Sequence, residues 1–235
     1  MLSSHSREAL KKVSAATLTT VLFKRGFRNA FIQNVFLLNK KAPRMVGEAY
    51  TLRYIPARED LDQLGAFEGR GHPQREAIEA CPPGQVLVMD ARRDATAATG
   101  GDILITRLMV RGAAGIVTDG GLRDTPTIEK LDFPVYFGAR SAPLNLVRHH
   151  AIDSQVPIGC GGVPVYPGDV VVGDAEGVVV IPAKIADEVA AEAAKQTEFE
   201  DWVEAKVKEG RSIFGLYPPD EKTRAEFEAW KKKAK

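Results

Sequence analysis

Hydrophobic and polar positions fall into short blocks whose period changes along the chain. In AATLTTVLFK, Leu18, Val21, Leu22 and Phe23 predict a helix that Ser14 caps and Gly26 ends. A shorter helix, REALKKV, precedes it behind Ser3, Ser4 and Ser6. The pair is expected to form an N-terminal lid or an oligomer contact. Residues 28–45 show only a weak pattern, whereas Val46 to Tyr54 alternates and predicts a strand. Val86 to Asp90 (VLVMD) and Ile116-Val117-Thr118 are short apolar runs of the kind found in buried strands. Between them Gly100-Gly101 opens a helix, DILITRLMVRG. Strand, helix and strand in succession make a βαβ unit, so the two strands are expected to be parallel. Thr125 is placed to cap TIEKLD, and Pro134 to Phe137 predicts a further short strand.

The second half has a different texture. Val156 to Pro182 is dense in Val, Gly and Pro, with turn signals at Pro167-Gly168-Asp169 and at Asp174 to Gly177. It predicts a β meander packed against the first sheet. Ala183 to Lys208 is a long charged helix with Ile185, Val189, Ala193, Val203 and Val207 on its face. Gly210 ends it, and DEKTRAEFEAWKKKAK makes a last polar helix. The reading is one α/β domain over residues 1–235: N-terminal helices in 1–45, a core over 46–190 and a C-terminal helical extension over 184–235. Pro56 to Pro83 is a long polar connection, which compact domains rarely carry without a use. Arg70, His72 and Arg75 make it locally basic. It suits either a cover for an acidic ligand or a solvated loop with a short helix, PQREAIEA.

Composition narrows the classes. The 44% hydrophobic and 27% charged residues are those of an ordinary globular protein. A net charge of +1 supplies no field to draw the chain to nucleic acid or a membrane. No apolar run approaches the ~20 residues of a membrane span, and MLSSHSREALKK lacks a secretion signal's apolar core. Cys81 and Cys160, far apart, are expected to be buried or loop-filling rather than a disulfide. A soluble cytoplasmic protein is expected.

Candidate chemistry concentrates between Thr99 and Asp124. Ligands of open α/β sheets gather beyond the carboxyl ends of parallel strands, and this segment contains two such ends. The first leads to Gly100-Gly101-Asp102 at a helix start, where unpaired backbone N–H groups bind anions. The second leads to Gly120-Gly121-Leu122-Arg123-Asp124. Arg123 can grip a carboxylate with two parallel hydrogen bonds, and Asp124 can offer hard oxygen to Mg²⁺ or Mn²⁺. Carboxylate, arginine and metal together suit an α-keto acid whose enolate is stabilised when a C–C bond breaks. No lysine lies within the segment to form a Schiff base; Lys130 follows on a polar helix face. Taken singly the parts are ordinary: a Gly-Gly turn, a surface ion pair, Asp102 as a favourable N-terminal helix charge, Asp119 as a ligand of turn amides. TGGDIL is neither GxGxxG nor a P-loop, and His149-His150, without metal-ligand spacing, reads as surface.

At these residues the chain resembles the RraA-like family, which includes class II 4-hydroxy-4-methyl-2-oxoglutarate / 4-carboxy-4-hydroxy-2-oxoadipate aldolases. Gly101, the following helix and strand, and Arg123-Asp124 match the family pattern. VPIGCGGVPVYPGDVVVGDAEGVVVIP is similar to a second signature. The resemblance implies a layered β/β/α fold, swivelling-domain-like, in a homotrimer or homohexamer. It implies a Mg²⁺- or Mn²⁺-dependent aldolase that forms pyruvate, with oxaloacetate decarboxylase activity. Backbone amides over Gly101, Asp102, Ile103 and Leu104, with Arg123, would hold pyruvate. Asp124 would position the metal with Asp102 beside it. A glutamate from a neighbouring subunit would complete the site, and Glu198, Glu200 and Glu204 are the candidates. A hydro-lyase or decarboxylase acting on a sugar-derived keto acid would use the same chemistry. A non-catalytic regulator of a ribonuclease is the other reading. The C-terminal tail is longer than in the short regulator-type members, the basic EGRGHPQ loop is a subgroup feature, and both border the region for the non-pyruvate half of the substrate.

Overall fold

A computed structural model describes residues 1–233. In chain order the elements are α1 (Ser4–Leu10), α2 (Ala15–Lys24), β1 (Phe31–Ile32), β2 (Phe36–Leu37), β3 (Met45–Pro56), α3 (Pro73–Ala80), β4 (Val86–Asp90), α4 (Asp102–Val110) and β5 (Gly115–Thr118). There follow β6 (Gly121–Leu122), α5 (Thr125–Ile128), β7 (Val135–Phe137), β8 (Ala139–Arg140), β9 (His149–Ser154), β10 (Val170–Gly173), β11 (Val178–Ile181), α6 (Ala186–Lys208) and α7 (Glu221–Lys233).

The long strand β3 is the spine. Its first residues pair antiparallel with β10, from Met45↔Gly173 to Glu48↔Val170. Its middle pairs parallel with β4, from Ala49↔Val86 to Arg53↔Asp90. Its end pairs antiparallel with β9, with a register break at Arg53/Tyr54 that bends the strand. The order β1-β11-β10-β3-β4-β5-β7-β2 follows, with β9 also on β3. The Val-rich meander is therefore not a separate sheet laid on the first. It continues the same hydrogen-bonded sheet through β3.

Side-chain alternation shows how the sheet curls. Val86 and Val88 of β4 share an inner core with Val171, Val178 and Val180, so the two halves of the sheet face each other. Leu87 and Met89, one residue out of phase, pack instead with Ala77, Ile78, Ile105 and Leu108 of α3 and α4. Burial on both faces explains why β4 reads as an unbroken apolar run. The outer face of the meander (Val170, Val172, Val179, Ile181) is covered by Leu10, Leu18, Leu22, Val189 and Ala193 of α1, α2 and α6. The expected β/β/α layers are present with a further helical layer outside them, and the N-terminal helices belong to that layer rather than to a lid. Arg7 donates to the Val46 carbonyl and pairs with Glu48, tying α1 to the spine. Trp202, Val203, Leu216 and Phe227 form a satellite cluster that seats α7 on α6.

Candidate functional site

β4 and β5 run parallel and end side by side at Asp90 and Thr118, so the turns that follow emerge at one edge. Thr99 ties those turns together. Its N–H and its hydroxyl both donate to the Gly121 carbonyl (2.8 and 3.0 Å), and the hydroxyl also meets Thr118 Oγ1. One residue on, the Arg123 N–H donates to the Gly100 carbonyl. Gly120 is required by close approach: a Cβ there would lie 2.6 Å from Ala91 Cβ and 2.7 Å from Thr99 Cγ2. Thr99 is held from the opposite side by Gln74 Nε2 (2.6 Å) and the Tyr54 hydroxyl (3.3 Å), both donating to its carbonyl.

The decisive geometry lies at Gly101. It precedes α4 in extended backbone, and no side chain caps that helix. A Cβ on Gly101 would stand 2.7 Å from Asp124 Oδ2 and 3.0 Å from Arg123 Cγ. The arginine and aspartate side chains thus lie across the bare face of the glycine, and Arg123 Nε donates to Asp124 Oδ2 at 3.2 Å. They remain 44% and 39% exposed, accessible to a ligand. Asp124 is itself unusual, with φ 55° in the left-handed region. It occupies the cap position of α5, one residue before the Thr125 expected there, yet its carboxylate makes no capping bond. An aspartate at that position ordinarily bonds the helix amides; here the carboxylate is directed to the Arg123 side. Asp102 Oδ1 takes the Ile103 amide, Leu104 is half-buried, and the Ile103 side chain is 80% exposed. The Ile103 amide is thus engaged by Asp102, and of the two expected donors Leu104 is the one that can contribute through its backbone.

The expected neighbour-subunit glutamates sit elsewhere. Glu200 accepts from Thr17 and Gln196, Glu198 pairs with Lys231 and Glu204 with Lys208, all on α6 in the outer layer over the meander. Within one chain α4 covers the opposite half of the sheet, so any of them would reach a site only in another copy. Among the described residues no three His, Cys, Asp or Glu side chains gather as a metal cage. The site offers the Asp124 carboxylate beside Gly101, with Asp102 as the next residue after that glycine; hard oxygens of this kind suit a Mg²⁺-like ion that keeps much of its water.

Two further residues hold this edge together. Asp119, almost fully buried, accepts the amides of Ala91 (2.7 Å), Gly161 (2.9 Å) and Arg93 (3.1 Å). It fulfils the amide-binding role expected of it, although burial pushes its carboxyl above the usual range. The same bonds secure Arg92 and Arg93, adjacent non-glycine residues at φ 60° and 59°. His149, expected at the surface, is fully buried. Its Nδ1 accepts from Arg92 Nη2 and its Nε2 donates to the Ala97 carbonyl, which defines a neutral ring. Burial lowers its pKa. A histidine with a depressed folded-state pKa contributes stability that is present above the unfolded value, ~6.5, and is lost as pH falls toward the folded value. Resistance to urea is accordingly expected to fall as pH drops from about 7.5 to 5.5, and His149→Gln to flatten that slope. An unchanged slope would show that His149 does not carry the effect.

The RraA-like family (Aldolase/RraA) matches residues 14–180, which span this whole edge. The chain belongs to that family. A protein of Halalkalibacterium halodurans named "Putative 4-hydroxy-4-methyl-2-oxoglutarate aldolase" is 39% identical over 127 residues, 54% of this chain and 59% of that protein. One of the same name from Ectopseudomonas mendocina is 32% identical over 112 residues, 48% of this chain and 68% of that protein. The crystal structure of Streptomyces coelicolor RraAS2, described as an unusual member of the RNase ES inhibitor RraA protein family, superposes with TM-score 0.76 at 29% identity. It covers 86% of this chain and 96% of its own. Among the described residues no helix is long and apolar enough to cross a membrane.

Proposed function

We propose that this RraA-like chain is a divalent-metal-dependent lyase. It cleaves a 4-hydroxy-2-oxo acid by a retro-aldol step, releases pyruvate and decarboxylates oxaloacetate as a side activity. The observation that carries this reading is the arrangement at Gly101, where Arg123 and Asp124 share the space beside an uncapped helix start. Names of relatives support it at the level of aldolase.

The Arg123 guanidinium binds the substrate carboxylate in the plane of its two oxygens. The amides at the start of α4 present partial positive charge to the same anion. Asp124, with Asp102 beside it, would hold Mg²⁺ or Mn²⁺, which when bound supplies Lewis acidity at the oxo oxygen. In the reaction the C4 hydroxyl loses its proton, the C3–C4 bond breaks, and its electron pair moves into the enolate of pyruvate, which is protonated at C3. As that bond breaks, charge grows on the oxo oxygen, next to the amides and Arg123, and it is lost again on protonation at C3. Because Glu198, Glu200 and Glu204 lie on the far layer, a homotrimer or homohexamer is the assembly in which one of them would serve a neighbour's site.

The likeness to RraAS2 supports a second reading, a surface inhibitor of a ribonuclease. The two separate in one assay: pyruvate release from 4-hydroxy-4-methyl-2-oxoglutarate, with Mg²⁺ and then with EDTA. Metal-dependent pyruvate is expected. No turnover under either divalent metal, together with ribonuclease inhibition, would favour the second reading.

A further inference from the structure

The polar connection over residues 57–72 has a place beside the site. β3 runs parallel to β4, so it leaves the sheet at Pro56 on the edge where β4 and β5 deliver their turns. The chain returns through α3, whose buried Gln74 donates to the Thr99 carbonyl next to Gly100-Gly101. The segment is therefore a strap along the rim of the site.

Most of the strap is open to solvent; Leu64 is 74% exposed. Asp62 is tucked inward, with a side chain only 3% exposed. Its Oδ1 accepts from His150 Nδ1 of β9 at 2.9 Å, and its Oδ2 accepts the Arg58 amide at 2.8 Å. At the far end the Phe67 ring lies 4.9 Å from the His72 ring and 4.7 Å from the Arg75 guanidinium, which couples the seating of the strap to α3. At the near end the Ala57 amide donates to the Arg148 carbonyl. Between these ends the carboxylate–imidazole pair joins the strap to the sheet. Without His150 the buried carboxylate is left without its partner, which is costly, and without Asp62 the strap loses its bond to that imidazole, so loss of either member favours lifting the strap.

We infer that Asp62 and His150 form a latch that holds the 57–72 strap on β9 and keeps Gln74 seated on Thr99, making both positioning residues for oxo acid binding. The binding effect rests on the proposed function; the latch itself does not. The test is trypsin digestion of the full chain as wild type, Asp62→Ala, His150→Ala and the double variant, with KM and kcat measured on the same preparations. Arg58 and Arg70, both exposed, are the reporting cleavage sites.

Each single variant is expected to be cut in the strap ~10-fold faster, with no new cuts elsewhere and a nearly unchanged thermal midpoint, as local opening requires. The double variant is expected to be cut no faster than the singles, because they break the same contact. KM is expected to rise ~5-fold while kcat stays within ~2-fold, the pattern of lost binding without lost chemistry. Cutting at the wild-type rate in either single variant, or multiplied rates in the double, would overturn the latch. Accelerated cutting with unchanged KM would overturn the positioning role. A wild type that releases no pyruvate would count against the proposed function, and the digestion rates would still decide the latch.

Discussion

Arg123→Ala and Asp124→Ala are each expected to reduce metal-dependent pyruvate release by ~10³-fold while leaving the fold intact. The two side chains bond each other across Gly101 and are partly exposed, whereas the turn that carries them is held by backbone bonds from Thr99 and Arg123. An exposed ion pair of this kind contributes ~1 kcal/mol or less, so thermal midpoints should move by no more than a few degrees. The variants should also differ from each other. Arg123→Ala removes a carboxylate ligand and should mainly raise KM for the oxo acid. Asp124→Ala should raise the metal concentration needed for half-maximal rate. Wild-type kcat/KM in either, measured by coupled reduction of the pyruvate released, would remove that residue from the site.

Gly101→Ala is the second large effect and separates geometry from backbone conformation. Gly101 sits at φ −134°, extended backbone that alanine adopts freely. The new methyl, however, would stand 2.7 Å from Asp124 Oδ2 and 3.0 Å from Arg123 Cγ, and those side chains must move. Displacement of binding groups by about an ångström costs ~10²-fold in rate, and that loss is expected here. Stability should change by only about 1 kcal/mol, the usual difference between glycine and alanine at a helix cap position. An alanine variant with full activity would show that the space beside Gly101 is not where substrate and metal meet. Equal losses of activity and stability would point to a folding defect instead.

The parts of this site that the chain announces in advance are those where one residue type has one physical use. The VLVMD run matches β4 from Val86 to Asp90 because a strand buried on both faces needs apolar side chains at every position. The helix after Gly100-Gly101 starts at Asp102, as turn and charge together predict. What stays hidden depends on contacts far apart in sequence. β1 and β2 have two residues each, too few for any period, and exist because β11 and β7 offer free edges. The meander's place in the sheet is decided by β3, which changes partners along its length. His149 looks like surface until Arg92 and Ala97 close around it. Thr99 and Gln74 carry no catalytic signature, yet they hold the glycine turn in place. The left-handed conformations of Arg92, Arg93 and Asp124 have no local marker, because none is glycine.

Paramagnetic broadening of ¹³C-labelled pyruvate by Mn²⁺ reads the central arrangement most directly, since it reports metal and oxo acid held together on one protein. With the wild-type chain, the carboxylate and keto carbons should broaden strongly and the methyl carbon less. Asp124→Ala should abolish the effect, and Arg123→Ala should shift it to much higher pyruvate concentration. Equal broadening in the wild type and in Asp124→Ala would contradict the account, as would Mn²⁺ bound by the wild type with no broadening of pyruvate.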